Sequence, residues 1–342
     1  MSSRSAERWA EDRPKTTGTG LTARALWHVS PGRAELRVNA LARPGAGEAL
    51  ARTLFSAVSR GTERLVSNGL VPESEYAAMR APMQAGDFPF PVKYGYCAVA
   101  RIEAGPQDLV GRTIFALHPH QDLFVAPAAM VAVVPDAVPA ARAVLAANME
   151  TALNALWDSG AGPGDRIAVF GGGAVGLLIA FLAGGLPGAD VTLIDPDASR
   201  AAIARAFGAA FSSESGAVRD ADIVFHASAT QAGLAAAMAA CGAEARLVET
   251  SWYGDRAVEA PLGGAFHARR LQIVASQVGQ VSASRRPRWS HARRLSKALA
   301  LLADPRLDML VTERVPFARL AESLPRLLAP GAPGVVPLVV YD

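Results

Sequence analysis

Hydrophobic and polar positions follow two regimes along the 342-residue chain. From Leu21 to Pro139, short apolar stretches (Ala49 to Val58, Cys97 to Ile102, Thr113 to Leu117, Leu123 to Val134) are separated by Gly and Pro turns. Such punctuation predicts a compact β-rich domain. Ala140 to Trp157 changes period: Leu145, Met149, Leu153 and Leu156 share one face, which predicts a helix. The turn Ala161-Gly162-Pro163-Gly164-Asp165 ends it. Strand candidates at Ile167 to Phe170, Val191 to Asp195, Asp222 to His226, Ala245 to Thr250 and Leu271 to Ser276 then alternate with alanine-rich helices such as Gln231 to Ala240. Alternation of this kind predicts right-handed crossovers and a parallel, doubly wound sheet, an α/β fold. Ser290 to Ala303 reads as a basic helix. Gly334 to Tyr341 reads as a strand too late for that sheet, expected to pair with the first domain. The predicted organisation is a flexible tail over 1–20, a nucleotide domain over 142–280, and a β-rich domain built from 21–141 and 281–342.

The centre of the second regime is Gly171-Gly172-Gly173-Ala174-Val175-Gly176, entered from an apolar strand and left through the apolar run Leu177 to Leu182. The spacing Gly171-x-Gly173-x-x-Gly176 suits a dinucleotide pyrophosphate in a Rossmann domain. One glycine makes the tight turn, one admits the phosphates and one lets helix pack on strand. Backbone N–H groups at the helix start, around Ala174 and Val175, would face the phosphate charge. Asp195 ends the next strand about 20 residues further on, where a ribose-binding carboxylate belongs. It would accept from the ribose hydroxyls and repel a 2′-phosphate, so NAD is favoured over NADP. A helix N-cap or turn role for Asp195, helped by Pro196, is the alternative. Arg200 and Arg205 read as solvated side chains of the following helix.

Composition narrows the class without choosing a substrate. A 51% hydrophobic, 19% charged chain is an ordinary globular protein. A net charge of +3 is too small for a nucleic-acid-binding field. Cys97 and Cys241 are too few and too far apart for a disulfide framework or a cysteine-rich zinc site, which suits a reducing cytoplasm. The first 20 residues lack the apolar core of a signal peptide, and no apolar run is long enough for a membrane helix.

Four stretches resemble the medium-chain dehydrogenase/reductases, the family of zinc alcohol dehydrogenases and quinone oxidoreductases. They are Phe55-Ser56-Ala57-Val58-Ser59-Arg60-Gly61-Thr62-Glu63, Pro91 to Gly105, Glu150-Thr151-Ala152-Leu153-Asn154-Ala155-Leu156, and Gly162-Pro163-Gly164-Asp165 with the glycine turn. The Ser-Arg-Gly-Thr-Glu form is similar to a zinc-type subgroup that includes bacteriochlorophyllide dehydrogenases. The resemblance covers Leu21 to the C-terminus. It implies a GroES-like β domain, a Rossmann domain, a catalytic cleft between them and a homodimer joined at the Rossmann sheet edge near Leu271 to Ser276.

The departures from the family bear on chemistry. Ser59 stands where the resemblance puts the first zinc cysteine, Lys93-Tyr94-Gly95-Tyr96 where a Gly-His-Glu segment falls, and Ala147 at the third ligand position. The structural-zinc cysteines are missing too. Catalytic zinc needs three protein ligands, so no zinc is expected. Another group must then handle the proton of hydride transfer. Tyr94 and Tyr96 could donate to a developing alkoxide or simply pack. His118 and His120, in a Pro-containing turn, could relay protons or lie on the surface.

By resemblance, Arg60 would reach the pyrophosphate, Thr62 and Glu63 would lie at the cleft floor, and Asn148, Glu150 and Thr151 would line the cofactor side. Thr62 or Ser59 also fits a helix cap. Arg285-Arg286-Pro287-Arg288-Trp289 with His291, Arg293 and Arg294 is either a solvated face or a site for an acidic substrate. Trp252, Tyr253 and Trp289 could form a flat wall for a ring or belong to the core.

The expected function is zinc-independent hydride transfer between NAD(H) and a carbonyl/alcohol pair, with a small-molecule substrate. NADPH-dependent reduction of a quinone or enone is one alternative, and a non-catalytic nucleotide-binding sensor or scaffold is another.

Overall fold

The computed structural model describes residues 20–342, so nearly all of the expected N-terminal tail lies outside the described residues. Six parallel strands form one sheet in the spatial order Ala210–Ser212, Asp190–Ile194, Arg166–Phe170, Ala221–His226, Cys241–Glu249, Gln272–Ala275. Numbered along the chain, that is the 3-2-1-4-5-6 order of a doubly wound dinucleotide fold. Its topological switch point lies between Arg166–Phe170 and Ala221–His226. Ile167 and Val169 pack toward helices Ala146–Ser159 and Ala174–Ala183, whereas Ala168 and Phe170 pack toward helix Gln231–Ala240. Burial on both faces explains why this strand reads as a continuous apolar run rather than an alternation.

A seven-stranded sheet runs Val311–Pro316, Val336–Val340, Glu48–Ala57, Ala98–Ala104, Thr113–Ala116, Val131–Val133, with Leu123–Pro127 also on Glu48–Ala57. The final strand pairs antiparallel with Glu48–Ala57, placing Val340 opposite Phe55. The chain end is thereby stitched into the N-terminal β structure. A four-stranded sheet carries the hairpin Leu21–Ser30/Arg33–Leu41 with Val92–Lys93 and Ala85–Gly86. One core cluster joins the two large sheets: Ala57, Val99 and Phe115 from the β side meet Ala147, Met149, Ile167 and Leu177.

Two sequence expectations change in detail. Leu123 to Val134 is two strands, because Ala128–Met130 makes a 3-10 turn directly after Pro127. Ala140 to Trp157 is a short helix, Ala140–Ala143, and a long one, Ala146–Ser159. Val144 and Leu145, at the corner between them, are both buried, so the apolar period runs through the break unmarked. Among the described residues no helix is long and apolar enough to cross a membrane. Cys97 and Cys241 are free and buried.

Candidate active site

The glycine turn obeys tight steric limits. Gly171 has φ +109°, and an added Cβ there would lie 2.7 Å from the Ser228 backbone nitrogen. A Cβ on Gly176 would lie 1.8 Å from the Gly171 carbonyl oxygen, so only glycine lets this helix start so close to its strand. Gly173 is exposed, meets nothing within 4 Å and precedes helix Ala174–Ala183. Ala174 and Val175, half-buried, carry the first N–H groups of that helix toward the open side. This is an anion-receptive helix start with room above it.

Asp195 is half-exposed beside the turn. Its Oδ2 accepts from the Gly172 N–H at 2.5 Å, and its Oδ1 accepts from the Asp197 N–H at 2.8 Å. Each oxygen keeps a free lone pair for a sugar hydroxyl. The cap of the next helical turn is Asp197, whose side chain accepts from the Ser199 N–H. The cap role thus falls to its neighbour, while the bond from the Asp197 N–H gives Asp195 the turn role that the sequence also allowed.

Two arginines take unexpected positions. Arg60 donates to the carbonyls of Ala332 (3.0 Å), Pro333 (2.6 Å) and Gly334 (2.7 Å). Arg200 is buried, not a solvated side chain; it donates to the Gly334 carbonyl at 2.9 Å and pairs with Asp197 at 3.0 Å. Burial, and next the proximity of Arg200, lower the Arg60 pKa from its usual value. Together they fasten the 332–334 loop over a cavity of about 600 Å³ lined by Asp197, Ser199, Arg200, Ile203, Thr312 and Gly334. Asp197, which lines this cavity, donates its N–H to Asp195 Oδ1.

A second polar network is buried beside helix Arg60–Ser67. Helix Arg60–Ser67 places Glu63, fully buried, so that Oε1 accepts from the Ser59 N–H (2.7 Å) and Oε2 meets His120 Nε2 (3.1 Å). His120 Nδ1 lies 2.7 Å from Ser56 Oγ, which lies 2.9 Å from the Tyr341 hydroxyl. Of the expected residues, the structure therefore brings Thr62, Glu63 and His120 together. The Tyr96 hydroxyl, half-buried, donates to Ser59 Oγ at 2.5 Å and also bonds to the Thr62 side chain. Burial raises the Tyr96 pKa.

Tyr94 lies instead in an aromatic cluster. It is 3% exposed, packs on Phe88 and meets Tyr96 edge-on at 6.0 Å. His118 is no surface residue: it stacks on Phe124 at 3.9 Å, with Nδ1 2.9 Å from the Pro119 carbonyl oxygen. The two histidines diverge because the turn between them points one ring at Glu63 and the other at Phe124. Sequence spacing cannot separate those fates.

The remaining helix candidates make bonds within the protein. Glu150 pairs with Arg294 at 3.0 Å, both buried, and Arg294 also bonds Asn154 at 2.8 Å. Burial raises the Glu150 pKa against the pull of Arg294. Arg294 is thus drawn out of the cationic cluster, whose exposed Arg285 and Arg293 lie over Trp157 and Trp289. The Thr151 hydroxyl donates back to the Ala147 carbonyl within its own helix. Trp289 belongs to that outer pair, whereas Trp252 packs with Tyr94 and Tyr96. Asp255 N–H donates to the Leu70 carbonyl, so the chain leaving Cys241–Glu249 reaches the segment just after helix Arg60–Ser67.

The positions that resemble zinc ligands carry Ser59, Tyr94, Tyr96 and Ala147. Among the described residues no group of three or more His, Cys, Asp or Glu could hold a metal ion. That donor set does not fit zinc, because a hydroxyl, two phenols and a methyl offer no thiolate, imidazole or carboxylate.

Two buried imidazoles govern acid stability. Burial holds the pKa of His118 down to about 3, with Lys93 adding to it, and burial holds that of His28 down to about 4. Both His28 ring nitrogens lack a partner. Depressed folded-state values mean that the unfolded chain binds more protons below pH 6.5. Stability is therefore complete above pH 6.5 and lost as pH falls toward 4 and then 3. Urea midpoints from pH 7 to pH 4 should fall with a slope of about two protons, and His28→Phe should remove about one. A pH-independent midpoint in this range contradicts the burial argument.

No protein-family model matches the sequence. Solved structures match nearly end to end. L-idonate 5-dehydrogenase from Escherichia coli K-12 superposes with TM-score 0.76 at 13% identity, covering 94% of this chain and 99% of that one. A Sinorhizobium meliloti 1021 protein termed a zinc-binding dehydrogenase, bound to NADP, gives 0.75 at 16%, covering 94% and 99%. A short chain alcohol dehydrogenase from E. coli CFT073, complexed with NADH, gives 0.72 at 16%, covering 94% and 100%. These likenesses establish the fold alone: a GroES-like β structure joined to a Rossmann-type doubly wound parallel sheet.

Proposed function

We propose that the protein is an NAD(H)-dependent oxidoreductase that moves hydride between the cofactor and a carbonyl/alcohol pair without zinc. The observation that carries this reading is a sterically intact glycine turn with Asp195 beside it, in a chain whose zinc-like positions hold the bonded pair Tyr96 and Ser59. The turn and helix start would hold the pyrophosphate, and Asp195 the adenosine ribose. Arg60 and Arg200 would act through the 332–334 loop, closing the adenosine side. The cofactor supplies the hydride. Tyr96 would protonate the oxygen of a reduced carbonyl, its phenol kept neutral by burial and linked through the hydroxyls of Ser59 and Thr62. Glu63 and His120 would fix the Ser59 backbone and hold charge behind it.

Tyr96 is favoured over Tyr94 because its hydroxyl enters this network. Asp195, with both nearby arginines engaged on carbonyls or Asp197, favours NAD over NADP. The division into a nucleotide domain over 142–280 and a β domain from the remainder belongs to this proposal. So does a homodimer through the edge strand Gln272–Ala275, whose Ile273 is 40% exposed.

The test is NADH oxidation over a panel of aldehydes, ketones, quinones and enones, with zinc content measured on the same protein. The reading predicts turnover of carbonyls without stoichiometric zinc, and a loss of about 100-fold in kcat for Tyr96→Phe with little change in NADH affinity. Turnover confined to NADPH with quinones or enones, or an unchanged rate in Tyr96→Phe, contradicts it.

A further inference from the structure

We propose that Ser228 is a nucleophile activated by His226 and Glu249, giving the protein an acyl-transfer activity on esters separate from hydride transfer. His226 and Glu249 are register partners at the carboxyl ends of adjacent parallel strands. His226 is fully buried, with Nδ1 2.8 Å from Glu249 Oε2 and Nε2 2.7 Å from Ser228 Oγ. Glu249 is held in turn: its Oε1 accepts from the Ser251 N–H at 2.7 Å, and its Oε2 accepts from the Tyr253 hydroxyl at 3.1 Å. A carboxylate that only accepts assigns the imidazole proton to Nδ1. The Nε2 lone pair then faces the serine hydroxyl.

The surroundings complete the arrangement. Thr230 Oγ1 accepts from the Gly233 N–H at 3.0 Å and lies 2.9 Å from Ser228 Oγ, to which its own proton can be donated. Helix Gln231–Ala240 starts against the pair. A Cβ on Gly233 would lie 2.2 Å from Ser228 Oγ and 2.9 Å from His226 Nε2, so glycine there keeps the serine–imidazole contact open. The positive end of this helix favours a negative oxygen developing beside Ser228.

Ala229 takes φ +52°, a left-handed conformation that turns the chain sharply between strand and helix just after the serine. Ser228 is half-buried, and its backbone nitrogen closes against Gly171 at the switch point, where small ligands enter doubly wound sheets. An ester and a dinucleotide would therefore share the crevice.

The step is an addition and elimination at an ester carbonyl. Ser228 Oγ bonds to the carbonyl carbon as its proton passes to His226 Nε2. The carbon–oxygen bond to the leaving alcohol then breaks, and Nε2 returns the proton to that oxygen. Water, deprotonated by the same nitrogen, releases the acid from acyl-Ser228. Nothing is oxidised or reduced.

Diisopropyl fluorophosphate tests this on the full chain without any nucleotide. Attack by Ser228 Oγ forms the phosphorus–oxygen bond and expels fluoride, and intact-mass and peptide-map spectra read the adduct. One equivalent is expected on Ser228, absent in Ser228→Ala. Labelling should slow at least about 100-fold in His226→Gln and also in Glu249→Gln, and p-nitrophenyl acetate should give a burst of p-nitrophenol. Folded wild-type protein that takes no adduct, takes it at another residue, or labels at the same rate in His226→Gln and Glu249→Gln overturns the proposal. Circular dichroism of each variant separates lost reactivity from lost fold.

Discussion

Replacing Glu63 with alanine is expected to cost about 2–4 kcal/mol in urea unfolding, because it strips the acceptor from the buried His120 ring and the half-buried Ser59 N–H and empties a fully buried site. The buried His120 ring and the half-buried Ser59 N–H both bond to that carboxylate, and the His120 ring is shut away from solvent. Glu63→Gln is the informative companion. Its amide oxygen still accepts from Ser59, while its NH₂ now donates to His120 Nε2 and forces the proton onto Nδ1. Hydrogen bonding toward Ser56 and Tyr341 then runs in the reverse direction. The glutamine variant should keep most of its stability and lose about 10-fold or more in the rate of carbonyl reduction. Equal rates in Glu63→Gln and wild type would leave the network a structural device, with no part in proton handling.

The second large effect is at the glycine turn. Gly176→Ala should lower stability by about 3 kcal/mol and NADH affinity at least about 10-fold. Its Cβ meets the Gly171 carbonyl at 1.8 Å, and both are backbone, so relief requires helix and strand to separate. Gly173→Ala is the matched control. It has open space and φ −75°, so its stability should change by no more than about 0.5 kcal/mol, while its methyl intrudes where phosphate would bind. Urea unfolding and calorimetry on the two variants separate packing from binding. Equal stability in both would show that the close approach of helix to strand is not a constraint.

The parallel-sheet half was readable because its signals are local. Apolar runs, glycine spacing and a carboxylate at a strand end each lie within a few residues, and the six-stranded parallel sheet follows from their alternation. The network around Glu63 was readable only in part. Thr62 and Glu63 are visible as neighbours, but their meeting with His120 depends on strand pairings across more than fifty residues. Tyr341 joins the same network from the far end of the chain through the antiparallel pairing of the final strand.

Arg60 and Arg200 show the opposite difficulty. The resemblance sends Arg60 to a pyrophosphate and the helix pattern reads Arg200 as solvated, yet Arg60 donates to three carbonyls of the 332–334 loop and buried Arg200 bonds Gly334 and Asp197. Periodicity gives no sign of that loop's position. The His226–Glu249 pair was also hidden, since each residue simply ends a strand, and only the register of the sheet makes them partners.

Cofactor choice tests the central claim most directly. Calorimetric titration of NADH and NADPH into protein of measured zinc content should show one NADH site per chain, at least about 10-fold weaker binding of NADPH, and no stoichiometric metal. Asp195→Ser should erase that preference. Absence of nicotinamide binding, a preference for NADPH, or stoichiometric bound zinc would contradict the account.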